Sequence, residues 1–139
     1  MGLVRVSGWE HRLVNVIESA RNRRYKIGEH DCFTFACEAV WALTGVDLYL
    51  PWKGKYKSMK EARRLINEYS GEGHTQSGNK LFGTVPVGMS LARRGDIATF
   101  SSMGRCHLGV CTGSHVATPS KISLMFLRLD DCDFVWRIG

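Results

Sequence analysis

The stretch from Asp31 to Gly45, DCFTFACEAVWALTG, constrains the fold more than any other part of the chain. Phe33, Phe35, Ala36, Ala39, Val40, Trp41 and Leu43 put apolar groups on nearly every side of a helical wheel, leaving Thr34 and Glu38 as its polar members. A helix with such a surface has to be enclosed by other elements. Its ends are marked as well. Asp31 can accept hydrogen bonds from the free amides of a first turn, and Gly45 can adopt the left-handed conformation that closes a helix. The spacing predicts a central buried helix over Cys32–Thr44.

The remaining elements follow from periodicity. From Trp9 to about Arg23, Trp9, Leu13, Val16, Ile17 and Ala20 recur at three- and four-residue steps, which predicts a first helix with one apolar stripe. Ser58 with Glu61 three residues on forms a helix-start pattern, and Gly71 a stop, which predicts a more polar, surface helix. From Gly71 to Gly88 the chain is rich in Gly, Ser, Thr and Asn and reads as an irregular crossing segment. After Arg94 the runs DIATF, LGVCTG, SLMFLRL and FVWRI are short, β-favouring and separated by turn residues. Helices first and strands after predict an α+β fold, N-terminal helices packed on a C-terminal antiparallel sheet. The length of 139 residues suits one domain over 1–139, with no internal repeat.

Composition excludes several functions. No apolar run approaches the roughly 20 residues needed to cross a bilayer, and the N-terminus lacks the apolar core of a signal peptide. Val6 stands where a myristoylation pattern needs Ser or Thr. Synthesis in the cytoplasm is expected. The five cysteines, Cys32, Cys37, Cys106, Cys111 and Cys132, are odd in number and contain no CxxC pair, which argues against a disulfide framework or a four-thiolate zinc site. In CHLGVC, Cys106 and His107 would face opposite ways on a strand, so a metal site there is not expected. The formal charge of +6 favours an anionic partner, but the basic residues are dispersed without a nucleic-acid-binding pattern, so nucleic acid is not the expected one.

Chemistry concentrates at Cys32. A thiol attacks as thiolate, and the amide dipoles of a helix N-terminus favour that form. A nucleophilic cysteine also needs a base from elsewhere in the chain. His11 and His30 are local, His74 falls in the irregular segment, and His107 and His115 belong to the strand half. Strand alternation sends His107, Gly109 and Cys111 to one face, where small Gly109 leaves room for a close neighbour such as the Cys32 helix. Asp31 reads first as a helix cap, and Asp96 as the end of a turn before a strand. Trp41, Trp52 and Trp136 read as core or groove-lining aromatics, and LPWKGKYK as a solvated loop with one anchoring Trp.

Taken in order, DCFTFACEAVWALTGVDL, RRGDIATF and HLGVCTG resemble the NlpC-type, papain-like cysteine peptidases of bacterial cell walls, especially the small versions coded in phage tail gene clusters. YKIG, ahead of the Asp-Cys pair, is similar to that family's Tyr-x-x-Gly segment. The resemblance implies a papain-like single domain in which Cys32 is the nucleophile, His107 the base, and Tyr25 a hydrogen-bonding helper near the oxyanion. It implies no cofactor, a cell-wall peptide as substrate, tail-tip proteins as partners, and a place in the virion after synthesis in the host. The chain departs from the pattern at the residue that orients the base, where Ala117 stands; His115 or Thr118 could substitute. The resemblance thus implies a cysteine hydrolase cutting an amide bond of wall peptide, with a structural tail component that keeps the fold without the activity as the alternative.

Overall fold

A computed structural model describes residues 2–139; Met1, where the expected single domain begins, lies outside them. Four helices come first: α1 (Trp9–Ala20), α2 (Cys32–Thr44), α3 (Met59–Ser70) and α4 (His74–Phe82). Five strands follow: β1 (Ile97–Ser102), β2 (Arg105–Cys111), β3 (His115–Pro119), β4 (Leu124–Arg128) and β5 (Phe134–Trp136). They form one antiparallel sheet in the order β4-β3-β2-β1-β5. The fold is α+β, with the helical half packed on the sheet.

Helix α2 is the centre, as its sequence requires. Phe35, Ala36, Ala39, Val40 and Leu43 are sealed from solvent and pack with Leu13 and Ala20 of α1 and with Ile97, Val110 and Ala117 of the sheet. Burying side chains the size of Phe35, Val40 and Leu43 stabilises a fold by roughly 1.5–3 kcal/mol each. The start of α2 is fixed locally. Asp31 accepts from the Thr34 amide at 2.8 Å while Thr34 Oγ1 accepts from the Asp31 amide at 2.8 Å, a reciprocal cap that satisfies two free donors. Gly45, at φ 76°, closes the other end.

Two boundaries differ from expectation. Helix α1 ends at Ala20 rather than near Arg23, because the Arg21 carbonyl turns away to accept from the Leu124 amide at the start of β4. The segment from Gly71 to Gly88, expected to be irregular, contains α4. That helix lacks a side-chain cap and is held by tertiary contacts: Phe82 is buried against Trp136, and Ser77 Oγ donates to the Ile66 carbonyl of α3. Gly78 lies so close under the Trp136 ring that a Cβ there would stand 2.5 Å from Cη2.

Alternation divides the sheet into two faces. Ile97, Leu108, Val110, Ala117 and Trp136 face the helices, whereas Ala98, Val116 and Val135 face a smaller cluster covered by Val87, Met89, Leu129 and Cys132. Asp96, at the turn into β1, does more than end that turn. It is fully buried and accepts from the Arg93 amide at 2.8 Å and the Ile138 amide at 2.9 Å, with Arg5 at 3.1 Å and Arg93 at 3.3 Å completing its shell. Trp41, expected in a core or a groove, is 48% exposed under the Arg12 guanidinium. No helix among the described residues is long and apolar enough to cross a membrane.

Candidate functional site

The start of α2 opens onto a cleft walled by α3, α4 and the β1–β2 pair. Its lining is dominated by aromatic and aliphatic groups, among them Phe33, Trp52, Tyr69, Leu81 and Trp136, around a cavity of ≈ 90 Å³. Cys32 is the first residue of α2 and borders this cleft. The helix N-terminus does not win at its sulfur: burial pushes the thiol up to about 11, against the downward pull of the Leu108 amide, and nearby Asp31 and Cys106 add to the rise. The thiol is therefore neutral at neutral pH.

Tyr25 is brought to the same cleft. Its hydroxyl donates to Met59 Sδ at 2.8 Å, and burial, with Asp31 and Cys32 nearby, raises it to about 12. Asp31 itself is occupied structurally. Besides capping α2 it accepts from the Gly28 amide and from the Tyr56 hydroxyl, both at 2.8 Å. Tyr56 and Trp52 are buried by these contacts, so LPWKGKYK is anchored by two aromatics instead of one.

His107 lies on β2 at the edge of the same cleft. Its cross-strand partner is Phe100, and the two rings stack with centroids 5.3 Å apart at 24°, so both lie on one face of the sheet. By strand alternation that is the face of Ala98 and Val135, whereas α2 packs on the face of Leu108 and Val110. The imidazole leans toward the Ser102 carbonyl near the hairpin tip, and burial lowers its proton affinity. His107 and, two residues before it, Arg105 both border the cleft at the hairpin end of β2, but the group that meets the Cys32 sulfur is the Leu108 amide. Among the described residues no hydrogen bond links Cys32 to a histidine.

The other candidates are not assembled either. His115 is exposed at the start of β3, paired with Arg128, and its Nδ1 lies 3.0 Å from Ser114 Oγ. It sits opposite Thr112, four residues along β2 from Leu108, or roughly 13 Å at strand rise. Ala117 is fully buried opposite Val110 and offers no polar atom. Thr118 is engaged with the Leu108 carbonyl at 2.9 Å. Cys106 lies near Cys32, while Cys111 is on the far face beside Cys132. Among the described residues no group of three or more His, Cys, Asp or Glu side chains could hold a metal ion.

Two contributors to the cleft, Thr99 and Arg63, escape a motif-based reading. Thr99 of β1 is 1% exposed, lines the cleft, and its Oγ1 has no hydrogen-bond partner among the described residues. Its alternation with Ile97 in DIATF was the available signal. Arg63 on α3 and His74 at the start of α4 also line the cleft, and neither stands near Cys32 in the sequence. A family model described as a domain of unknown function (DUF6950) matches residues 4–138, and the chain belongs to that family. Comparisons with curated proteins and with solved structures return no match.

Proposed function

We propose that this DUF6950 domain works as a binding and assembly module, and not as a cysteine hydrolase. The observation that carries the reading is that among the described residues no hydrogen bond joins Cys32 to a histidine, although His107 borders the same cleft. Thiol catalysis needs a base within hydrogen-bond reach of the sulfur, and the His107 ring, at the edge of the cleft, is stacked on Phe100 rather than bonded to the thiol. Burial raises the thiol to about 11, which disfavours the thiolate at pH 7. The likeness of DCFTFAC, RRGDIATF and HLGVCTG to the small NlpC-type proteins of phage tails supports a place in a tail, made in the host cytoplasm and carried in the particle. The formal charge of +6 suits docking to an acidic neighbour.

A second reading, hydrolysis of wall peptide, is favoured by one local arrangement: the Leu108 amide and Tyr25 flank Cys32 in an open cleft. It requires a base other than His107, and His74, on the cleft wall, is the residue to test.

Alkylation by iodoacetamide, followed at the Cys32 peptide by mass spectrometry, separates the two. The binding reading expects slow labelling at pH 7, a rise of about tenfold per pH unit through pH 9 with no plateau, and no change in His107→Ala. Incubation with purified peptidoglycan should release no more peptide than the Cys32→Ala protein does. A labelling plateau below pH 8 that His74→Ala abolishes, or turnover that depends on Cys32, overturns the reading in favour of the hydrolase.

A further inference from the structure

The cleft contains two features that its apolar lining does not explain. The first is the hydroxyl of Thr99. A buried polar group without a partner costs roughly 1–3 kcal/mol, and this one is 1% exposed and borders the cavity. Thr99 sits on the helix-facing side of β1, opposite Leu108, whose amide reaches the Cys32 sulfur. The inner end of the cleft thus presents a hydroxyl able both to donate and to accept.

The second is charge. Arg63 and Arg105 line the cleft, and neither has an ion-pair or hydrogen-bonding partner among the described residues, unlike Arg5, Arg21, Arg23, Arg64, Arg93 and Arg128. The one carboxylate among the lining residues, Asp31, is taken up by Thr34, Gly28 and Tyr56. Free guanidinium groups beside an apolar cavity, with no spare acid to neutralise them, favour an anionic ligand.

We propose that the cleft binds an N-acylated apolar amino acid, the chemistry of a peptide's carboxyl-terminal residue: apolar side chain against Trp52, Tyr69 and Trp136, amide group at Thr99, carboxylate at Arg63 and Arg105. Phe33, Trp52 and Tyr69 stack edge to face, with centroid separations of 5.1 Å for both Trp52 contacts, so the wall is preformed and little order has to be imposed on binding. This inference rests on reading the cleft as a binding site, and it is independent of whether Cys32 reacts.

Trp52 and Trp136 line the cleft, so their fluorescence reports occupancy. The test titrates N-acetylphenylalanine, its neutral amide N-acetylphenylalaninamide, and N-acetylalanine into the intact protein. The acid should saturate in the micromolar to millimolar range, and the amide and N-acetylalanine should each bind about tenfold more weakly. Arg63→Gln, on an exposed helix that tolerates the change, should bring the acid down to the level of the amide. Thr99→Val should weaken acid and amide by a common factor. Equal binding of acid and amide, an acid affinity untouched by Arg63→Gln, or no saturable binding at all overturns the proposal. The same titration in Cys32→Ala should be unchanged. A catalytic Cys32 with intact acid binding overturns only the function proposed above, whereas a slow, unactivated Cys32 with no acid binding overturns only this inference.

Discussion

At the scale of single residues, His30, Asp31 and Cys32 show how three neighbours in one tripeptide are put to different uses. Asp31 spends its carboxylate on the cap of α2 and on Tyr56, and Cys32, half-buried at the head of the same turn, has its thiol pushed up by desolvation. His30 is 2% exposed, edge-on to Phe35 at 6.0 Å, and neither ring nitrogen has a partner among the described residues. Burial lowers its pKa, Arg23 lowers it further, and Asp31 opposes them. A base whose pKa is depressed by folding binds more protons when unfolded, so its stabilising share is complete above the unfolded value, near 6.5, and fades as pH falls toward the folded value. The urea midpoint should drop between pH 7.5 and pH 5.5. His30→Leu should recover part of that drop at pH 5.5 while changing little at pH 7.5, and His107, lowered in the same direction, accounts for part of what remains. A parent midpoint that is flat across this range would contradict the account. The position of Cys32 at the head of a helix was legible in the sequence because caps are local. The state of its proton was not, because burial by β2 and α3 is a property of the whole cleft.

At the scale of elements, the sheet explains why a strand motif is a poor guide to its own direction. Alternation correctly groups His107, Gly109 and Cys111, but it cannot by itself say which group meets α2. The apolar surface of α2 selects Leu108, Val110 and Ala117, and Gly109 serves the other side. A Cβ at Gly109 would stand 3.0 Å from the Ala117 carbonyl and closer still to Val116 Cγ1, so the glycine allows β2 and β3 to approach. Gly109→Ala should cost about 1–3 kcal/mol in urea denaturation. Gly88, at φ −64° with nothing nearer than 3.9 Å, is the control, and Gly88→Ala should be neutral or stabilising by about 0.5 kcal/mol. Equal effects at the two positions would argue against the close-approach account. Helix α4 was illegible for the opposite reason. HTQSGNKLF has weak intrinsic preference, and its helix exists because Phe82, Ser77 and Gly78 find partners on Trp136 and α3, which local composition cannot reveal.

At the scale of the whole molecule, Asp96 binds together parts of the chain far apart in sequence. It holds Ile138 by its amide and Arg5 by its guanidinium, while Arg5 Nε also donates to the Ile138 carbonyl at 2.8 Å. RRGD reads as a turn, and it is one, but the buried carboxylate at its end is a long-range junction that only the fold discloses. Removing one member of a buried charge pair typically costs 3–5 kcal/mol. Asp96→Asn, which keeps the shape and one acceptor, should cost about 3 kcal/mol by urea denaturation. Arg5→Gln should cost less, since Arg93 remains on the carboxylate. The reverse order would show that Arg5 matters chiefly through Ile138. The junction has a mechanical side as well. Tension applied between residues 5 and 138 is borne first by one carboxylate and its guanidinium neighbours, so a tug on either flank loads that clasp before any strand is asked to shear.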